Sequence, residues 1–135
     1  MVGPRTDPGI RAGRLAPCPA TPNCVSSQAD PADTVHYVAP LRYTGSGPAA
    51  RARLLELLQG EPRVRVAEAG PEYIRAEFRS RWFGFVDDVE FLVDQSRRLI
   101  HVRSASRLGY GDFGVNRRRI EHIRHRFSRP GPGRG

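Results

Sequence analysis

Charged and hydroxyl side chains are concentrated in two neighbouring segments of the chain, and their types suit the binding of an anion. The first segment spans residues 85–94 and the second spans 99–107. The residues of interest are Asp87, Asp88, Glu90, Arg103, Ser104, Ser106 and Arg107. Arginine can bind a carboxylate or a phosphate through two parallel hydrogen bonds. Carboxylates beside arginines have depressed pKa values, so the pattern favours ion pairing over proton transfer near neutral pH.

Alternation along these two predicted strands places charged residues on one face of a sheet. Successive side chains of a strand point to opposite faces. Any register that buries Phe91 and Val102 on the same side therefore brings the charged residues together on the other side. These residues are Asp88, Glu90, Arg103 and Arg107. The face is either an ordinary solvated surface with weak ion pairs or an open groove for a small anionic ligand or an acidic protein partner.

Asp87 has the opposite parity and is expected to face the helices. A carboxylate that is buried there needs a partner. The candidates are Asn116 and Arg117, at the start of the predicted final helix. This contact would be structural before it was functional.

Residues 109–114 fit the glycine spacing of a dinucleotide-binding fingerprint. The neighbouring strands are predicted to be antiparallel and Asp112 would repel a pyrophosphate, so we do not expect a Rossmann site. We expect a turn that needs glycine, with Asp112 or Asn116 capping the helix that follows. A simple anion held by the amides of this turn is a second interpretation. Its side-chain partners would be Ser104, Ser106 and Arg107.

Cys18 and Cys24 flank a loop that contains two prolines and Asn23. A zinc site would need two close cysteine pairs, or one pair with spaced histidines, and we predict no metal and no cofactor. A disulfide is expected in an exported protein and not in a reducing cytosol. The remaining interpretation is a tight turn that fastens the N-terminal segment to the core. For a cytosolic protein, we predict that neither cysteine is needed for folding.

Catalysis and nucleic-acid binding are the alternatives to anion binding. No local sequence resembles a known catalytic signature, so an enzyme would be of unknown class, with a site at Asp88, Glu90, Arg103, Ser106 and Arg107. The possible nucleophiles are Cys24, Ser104 and Ser106, and the possible bases are His36 and His101. Nucleic-acid binding would use the arginine-rich final helix and would weaken steeply with salt. The aromatic turn at residues 82–85 is expected to cover a hairpin or to plug the core.

The composition is that of a small basic protein. The chain has 135 residues and a formal net charge of +8, and its 22 lysine-plus-arginine positions are all arginine. This charge favours anionic partners through long-range attraction. No apolar stretch approaches the roughly 20 residues of a membrane helix, and residues 1–17 contain no secretory hydrophobic segment. We therefore expect a cytoplasmic location, or a true start further upstream.

Periodicity predicts two helices and four strands. The helices span 48–58 and 115–127, and the strands span 63–68, 72–80, 85–94 and 99–107, with a further short strand near 35–38. Short turns between the strands indicate an antiparallel meander. The predicted fold class is α+β, with a sheet of about four or five strands and two helices on one face. We expect residues 18–127 to form a single domain between disordered segments at 1–17 and 128–135.

Three long motifs are specific enough to suggest a relationship. They are Cys18-Pro19…Pro22-Asn23-Cys24-Val25-Ser26-Ser27, Asp87-Asp88-Val89-Glu90-Phe91, and Val102-Arg103-Ser104-Ala105-Ser106-Arg107 leading to Gly114-Val115-Asn116-Arg117. These motifs resemble a family of small, mostly bacterial proteins, the domain-of-unknown-function family fourteen ninety-nine, over residues 18–127. The resemblance implies a shared fold and no particular activity, because none is assigned to the family.

Overall fold

Two helices and eight strands run through the residues that the computed structural model describes, 8–82, 84–108 and 114–129. The first four strands are short: β1 (Ile10–Arg11), β2 (Arg14–Leu15), β3 (Cys24–Ser26) and β4 (Leu41–Arg42). Helix α1 (Gly47–Gln59) leads into four longer strands, β5 (Val64–Ala69), β6 (Tyr73–Arg79), β7 (Val86–Asp94) and β8 (Leu99–Ser106). Helix α2 (Val115–Ser128) follows.

Strands β5 to β8 form an antiparallel meander at the centre of a six-stranded sheet. The order is β5-β6-β7-β8-β3, and β4 also pairs with β8. The predicted α+β class and the antiparallel sheet are confirmed. The sheet has six strands rather than four or five because β3 and β4 are too short to show an alternating pattern. A short strand was predicted near residues 35–38. Instead, the structure has a single β-bridge there, between Tyr37 and Ser26.

Both helices pack their apolar faces against the same side of the sheet. Ser46 caps α1 by accepting a hydrogen bond from the Ala49 amide, and Pro48 lies in the first turn, where no amide donor is needed. The buried helix residues include Ala50, Leu54, Leu58, Ile120, Ile123 and Phe127. Phe91 of β7 pairs with Val102 of β8 beneath them, in agreement with the register argument. Neither helix within the described ranges is long and apolar enough to cross a bilayer.

The N-terminal segment corrects the prediction of disorder for the part of residues 1–17 that the structure describes. Strands β1 and β2 form a hairpin, and Leu15 and Ala16 are buried. The Leu15 amide donates a hydrogen bond to the Gln28 side chain at 2.9 Å. The hairpin lies on the sheet face opposite the helices, where the Gly9 amide reaches Glu90. Two-residue strands show no periodicity, so the sequence did not reveal this hairpin.

Cys18 and Cys24 form a disulfide, with their Cα atoms 5.7 Å apart. The sequence left the pairing of these cysteines open, and the structure has the disulfide rather than a turn held without a covalent bond. Cys24 is the first residue of β3, so the bond ties the segment that follows the hairpin to the edge of the sheet. Because both sulfur atoms are in the disulfide, neither is available as a thiolate ligand for a metal.

The turn between β6 and β7 also differs from expectation. Trp82 is 80% exposed and Phe85 is 52% exposed, so these two rings neither plug the core nor cover the hairpin. The guanidinium of Arg81 lies over the Trp82 ring, 5.1 Å from its centroid. The turn therefore presents aromatic surface to solvent.

Candidate functional site

Glu90 and Arg103 form a covered ion pair on the sheet face opposite the helices, here called the covered pair. They are cross-strand partners with 3.0 Å between Oε1 and Nη1, and their side chains are 0% and 1% exposed. The Gly9 amide donates to Glu90, and Arg103 donates to the carbonyl of Pro17. The prediction that these charges share one face is confirmed. The predicted open groove is wrong at this pair, because the N-terminal segment lies over it.

Tyr73 completes the surroundings of the covered pair from β6. Its hydroxyl donates to Glu90 Oε2 at 2.6 Å. Burial and the neighbouring carboxylate raise the pKa of Tyr73, so the hydroxyl keeps its proton and remains a donor. Glu90 thus has an amide, a hydroxyl and a guanidinium as partners within the protein, which is the arrangement of a structural network.

An outer arginine cluster lies beside the covered pair on the same face. It consists of Glu77, Asp88, Arg65, Arg75 and Arg107. Arg107 binds Asp88 through two nitrogen atoms, each at 2.9 Å, and reaches Glu77 at 3.0 Å. Burial alone would raise the pKa of Glu77, but Arg65 and Arg107 outweigh it and hold that pKa below its ordinary value. The carboxylates are saturated by arginine, and solvent reaches mainly the guanidinium groups.

The two serines that were predicted to act with Arg107 face the helices instead. Ser104 donates to Asn116 Oδ1 at 2.5 Å. Asn116 Nδ2 donates to Ser106 Oγ at 2.9 Å and to the carbonyl of Asn23 at 3.2 Å. The predicted groupings of Ser104 and Ser106 with Arg107, for anion binding or catalysis, are therefore corrected, because these strand positions have helix-side parity.

Asn23 and Asp87 show what the sequence motifs do in the fold. Asn23 Nδ2 donates to the carbonyls of Ser106 and Leu108, which holds the cysteine loop against the end of β8. Asp87 faces the helices as predicted, with Oδ2 2.8 Å from Arg119 Nη2, one turn inside α2. Arg117, one of the two proposed partners, donates to the carbonyls of Thr34 and Val35.

The capping prediction named Asp112 or Asn116, and only Asn116 is among the residues that the structure describes. Asn116 is the second residue of the helix rather than its N-cap, and Gly114 holds the N-cap position with a left-handed φ of 78°. Glycine adopts this conformation without the strain that a side chain would cause. Residues 109–113, and with them Asp112, lie outside the described residues.

Several arginines of α2 are held in contacts within the protein. The pairs are Arg119 with Asp87, Arg124 with Glu121, and Arg126 with Glu61. Arg124 also donates to the carbonyl of Pro40 at 2.7 Å. A nucleic-acid backbone would have to compete with these contacts, which weakens the case for binding through this helix.

A groove opens on the charged face at the end of the sheet away from the outer arginine cluster. It lies between the N-terminal hairpin and the β5–β6 and β7–β8 turns, and its volume is about 1370 Å³. This is larger than the roughly 300–1,000 Å³ of most ligand pockets. Its lining includes Arg14, Ser27, Tyr73, Asp94, Arg97 and His101.

Three groove residues form a row of polar contacts. Ser27 Oγ lies 3.4 Å from His101 Nδ1, and His101 Nε2 lies 3.5 Å from Asp94 Oδ2. Burial, aided by the charges of Arg14 and Arg97, lowers the pKa of His101 against the opposing effect of Asp94. The imidazole is therefore neutral near pH 7. When its proton is on Nε2, His101 can donate to Asp94 and accept from Ser27.

The sequence indicated His101 as a possible base but did not indicate its hydrogen-bond partners. Ser27 is 74 positions away along the chain, and it meets His101 only because β3 pairs with β8. The other possible base, His36, contacts Asp33 at 2.7 Å. The possible nucleophile Cys24 is in the disulfide, and Ser104 is buried against Asn116.

The fold and these contacts define a class: small α+β proteins with two helices on one sheet face and a charged opposite face that a disulfide-tied hairpin partly covers. The profile of the family described as a protein of unknown function, DUF1499, matches residues 14–127. The chain belongs to this family. No curated protein and no solved structure matches it.

Proposed function

We propose that the protein binds a small ligand carrying a carboxylate or a phosphate, and that the ligand lies in the groove beside His101. The observation that carries this proposal is the position of Arg14 and Arg97 in the lining of an open groove next to a half-buried imidazole. Arg14, Arg97 and His101 all line the same groove, and in this proposal one bound anion contacts all three side chains. Such planar donors bind carboxylate and phosphate oxygens in pairs.

The charge balance of the groove favours its His101 end for the anion. Asp94 is the acidic residue at that end, and its carboxylate accepts from Ser96, from the Arg97 amide and from His101. These bonds hold the pKa of Asp94 below its ordinary value and use its oxygen atoms. Glu68, near the end of β5, and Glu72, in the β5–β6 turn, also line the groove. A ligand with a cationic group as well would place that group near the turn.

The test is a comparison of Arg97→Gln with Arg98→Gln. Arg97 lines the groove, whereas the adjacent Arg98 is outside the lining. Inorganic phosphate, citrate and a set of simple dicarboxylates serve as probes in thermal-shift and calorimetric titrations. For any probe that binds the unmodified chain, Arg97→Gln should weaken binding at least about tenfold, as expected for a charge-assisted hydrogen bond. Arg98→Gln should leave it unchanged. Equal weakening by both variants, or no binding by any probe, contradicts the proposal.

Ester hydrolysis is a second candidate function, and the Ser27–His101–Asp94 row is the observation that favours it. Serine is a weak nucleophile until a neighbouring base accepts its proton. Ser27 Oγ would attack an ester carbonyl and form an acyl–serine bond while its proton passes to His101 Nδ1. His101 would return that proton to the departing alkoxide. Water would then cleave the acyl group, with His101 relaying its proton to Ser27 Oγ.

A fluorophosphonate probe distinguishes this second candidate from simple binding. It should label Ser27, and Ser27→Ala should abolish both labelling and the hydrolysis of p-nitrophenyl acetate above the uncatalysed rate. Ser96→Ala is the matched control, because Ser96 also lines the groove but its hydroxyl donates to the carboxylate of Asp94 instead of contacting His101. Labelling that persists in Ser27→Ala would contradict catalysis by this row.

The disulfide is evidence about the redox state of the cellular compartment in which the protein acts. Structural disulfides persist in oxidising compartments and are rare in a reducing cytosol. We infer that the protein acts where the Cys18–Cys24 bond stays formed, which argues against the cytoplasmic location expected from the sequence. Alkylation of unreduced cells, followed by mass spectrometry of the peptide, tests this: modified Cys18 would contradict the inference.

A further inference from the structure

The end of the sheet opposite the groove carries exposed apolar side chains. Trp82 is 80% exposed, Phe85 is 52% exposed and Leu108 is 43% exposed. Two backbone hydrogen bonds hold their segments together: the Ser80 amide donates to the Phe85 carbonyl, and the Arg107 amide donates to the Val86 carbonyl. The β6–β7 turn and the end of β8 therefore present one continuous tip.

Arginines surround this apolar surface. They are Arg63, Arg79, Arg81 and Arg107. The Arg79 amide donates to the Arg63 carbonyl, which places the start of β5 beside the end of β6. Residues 78–86 and 106–108 contain no aspartate or glutamate. Among these arginines, Arg107 is tied to the carboxylates of the outer arginine cluster, and the other three have exposed side chains. We call this surface the arginine–aromatic tip.

We propose that the arginine–aromatic tip docks on the surface of a membrane that contains anionic lipid. Tryptophan is enriched at the membrane–water interface, where its amphipathic ring lies at headgroup level. Arginines around it are attracted by the negative surface potential of anionic lipid. Trp82, Phe85 and Leu108 would enter the headgroup region, and Arg63, Arg79 and Arg81 would contact lipid phosphates. The groove at the opposite end of the sheet would then face away from the membrane.

The geometry favours a lipid surface over a nucleic acid. Single strands bind along a charged groove in which successive bases stack on aromatic faces. At the tip, the Arg81 guanidinium already lies over one face of the Trp82 ring, where a base would have to stack. Three apolar side chains at a strand end, bordered by cations, match an interfacial anchor instead.

The single tryptophan of the chain makes the proposal directly measurable. Because the sequence contains one tryptophan, Trp82, all tryptophan emission reports on the tip. Phosphatidylcholine vesicles that contain phosphatidylglycerol should shift this emission to shorter wavelengths and sediment with the protein. Vesicles of phosphatidylcholine alone should bind at least roughly tenfold more weakly, because several arginines contribute to the attraction. An unshifted emission, or equal binding to both vesicles, would overturn the proposal.

Variants separate the tip from general charge attraction. Trp82→Ala and the double variant Arg79→Gln/Arg81→Gln should each reduce sedimentation with the anionic vesicles at least roughly fivefold. The matched controls are Val35→Ala, an exposed apolar residue elsewhere, and Arg98→Gln, at the opposite end of the sheet. Circular dichroism checks that each variant is folded. Equal losses in the controls, or a blue shift that grows with protein concentration without lipid, would overturn lipid docking in favour of charge attraction or self-association.

Discussion

The covered pair and the outer arginine cluster are both built from carboxylates and arginines on the same face of the sheet, and both include a carboxylate of β7. Glu90 and Asp88 are two positions apart on β7, while Arg103 lies within β8 and Arg107 directly follows the last residue of that strand. The covered pair is fully buried, whereas Arg107 is 36% exposed. The difference comes from the N-terminal hairpin, which covers one pair and stops short of the other. Burial by a distant segment thus decides whether an ion pair is structural or accessible.

The largest expected effect is the loss of Arg103. Arg103→Ala leaves the Glu90 carboxylate buried without its guanidinium partner, and removing one member of a buried pair costs about 3–5 kcal/mol of unfolding free energy. Urea unfolding monitored by circular dichroism measures it. The double variant Glu90→Met/Arg103→Met is the control, because removing both charges should cost less than removing one. A loss below about 1 kcal/mol for Arg103→Ala would mean that the pair is solvated after all.

Loss of the disulfide should have the next largest effect, because it releases the cover from the pair. Cys18 and Cys24 are separated by six positions, and the chain-entropy estimate for so short a loop is about 2 kcal/mol. Cys18→Ser/Cys24→Ser should therefore lower the unfolding free energy by that amount. Dithiothreitol should destabilise the unmodified protein similarly and leave the double variant unaffected. An unmodified protein that is insensitive to reduction would contradict the role of the disulfide.

Arg107→Ala should have a much smaller effect on stability than Arg103→Ala. Its guanidinium is partly exposed and its pairs are screened by water, so the expected loss is about 0–1 kcal/mol. Added sodium chloride should reduce that loss further, whereas the cost of Arg103→Ala should hardly change with salt. Similar losses for both variants would remove the distinction between the two regions.

The smallest expected effect is the pH dependence of the outer arginine cluster. The pKa of Glu77 is lower in the folded protein than its ordinary value of 4.5. The unfolded chain therefore binds a proton first as the pH falls, and this group's contribution to stability is lost between 4.5 and the folded pKa. Glu77→Gln should flatten this part of the stability curve measured by urea unfolding. If Glu77→Gln leaves the fall in unfolding free energy at acidic pH unchanged, then other carboxylates cause that fall.

Long, regular elements could be predicted from the sequence, and short or distant ones could not. The apolar stripe of α1 and the alternation in β7 predicted their positions to within a residue or two. The two-residue strands β1 and β2 have no period to detect. Trp82 was assigned a covering role but is 80% exposed, because the burial of a turn side chain depends on contacts that local periodicity does not record.

The sequence by itself determined which side chains share a face. Strand parity is a local property, so it placed Glu90 with Arg103 and Asp87 towards α2 without knowledge of the fold. Only the tertiary structure decided which of those charges meet solvent. It also brought Ser27 to His101 and closed the disulfide over the charged face. The physical reason is that burial and hydrogen bonding depend on segments far apart in the chain, whose approach no local pattern records.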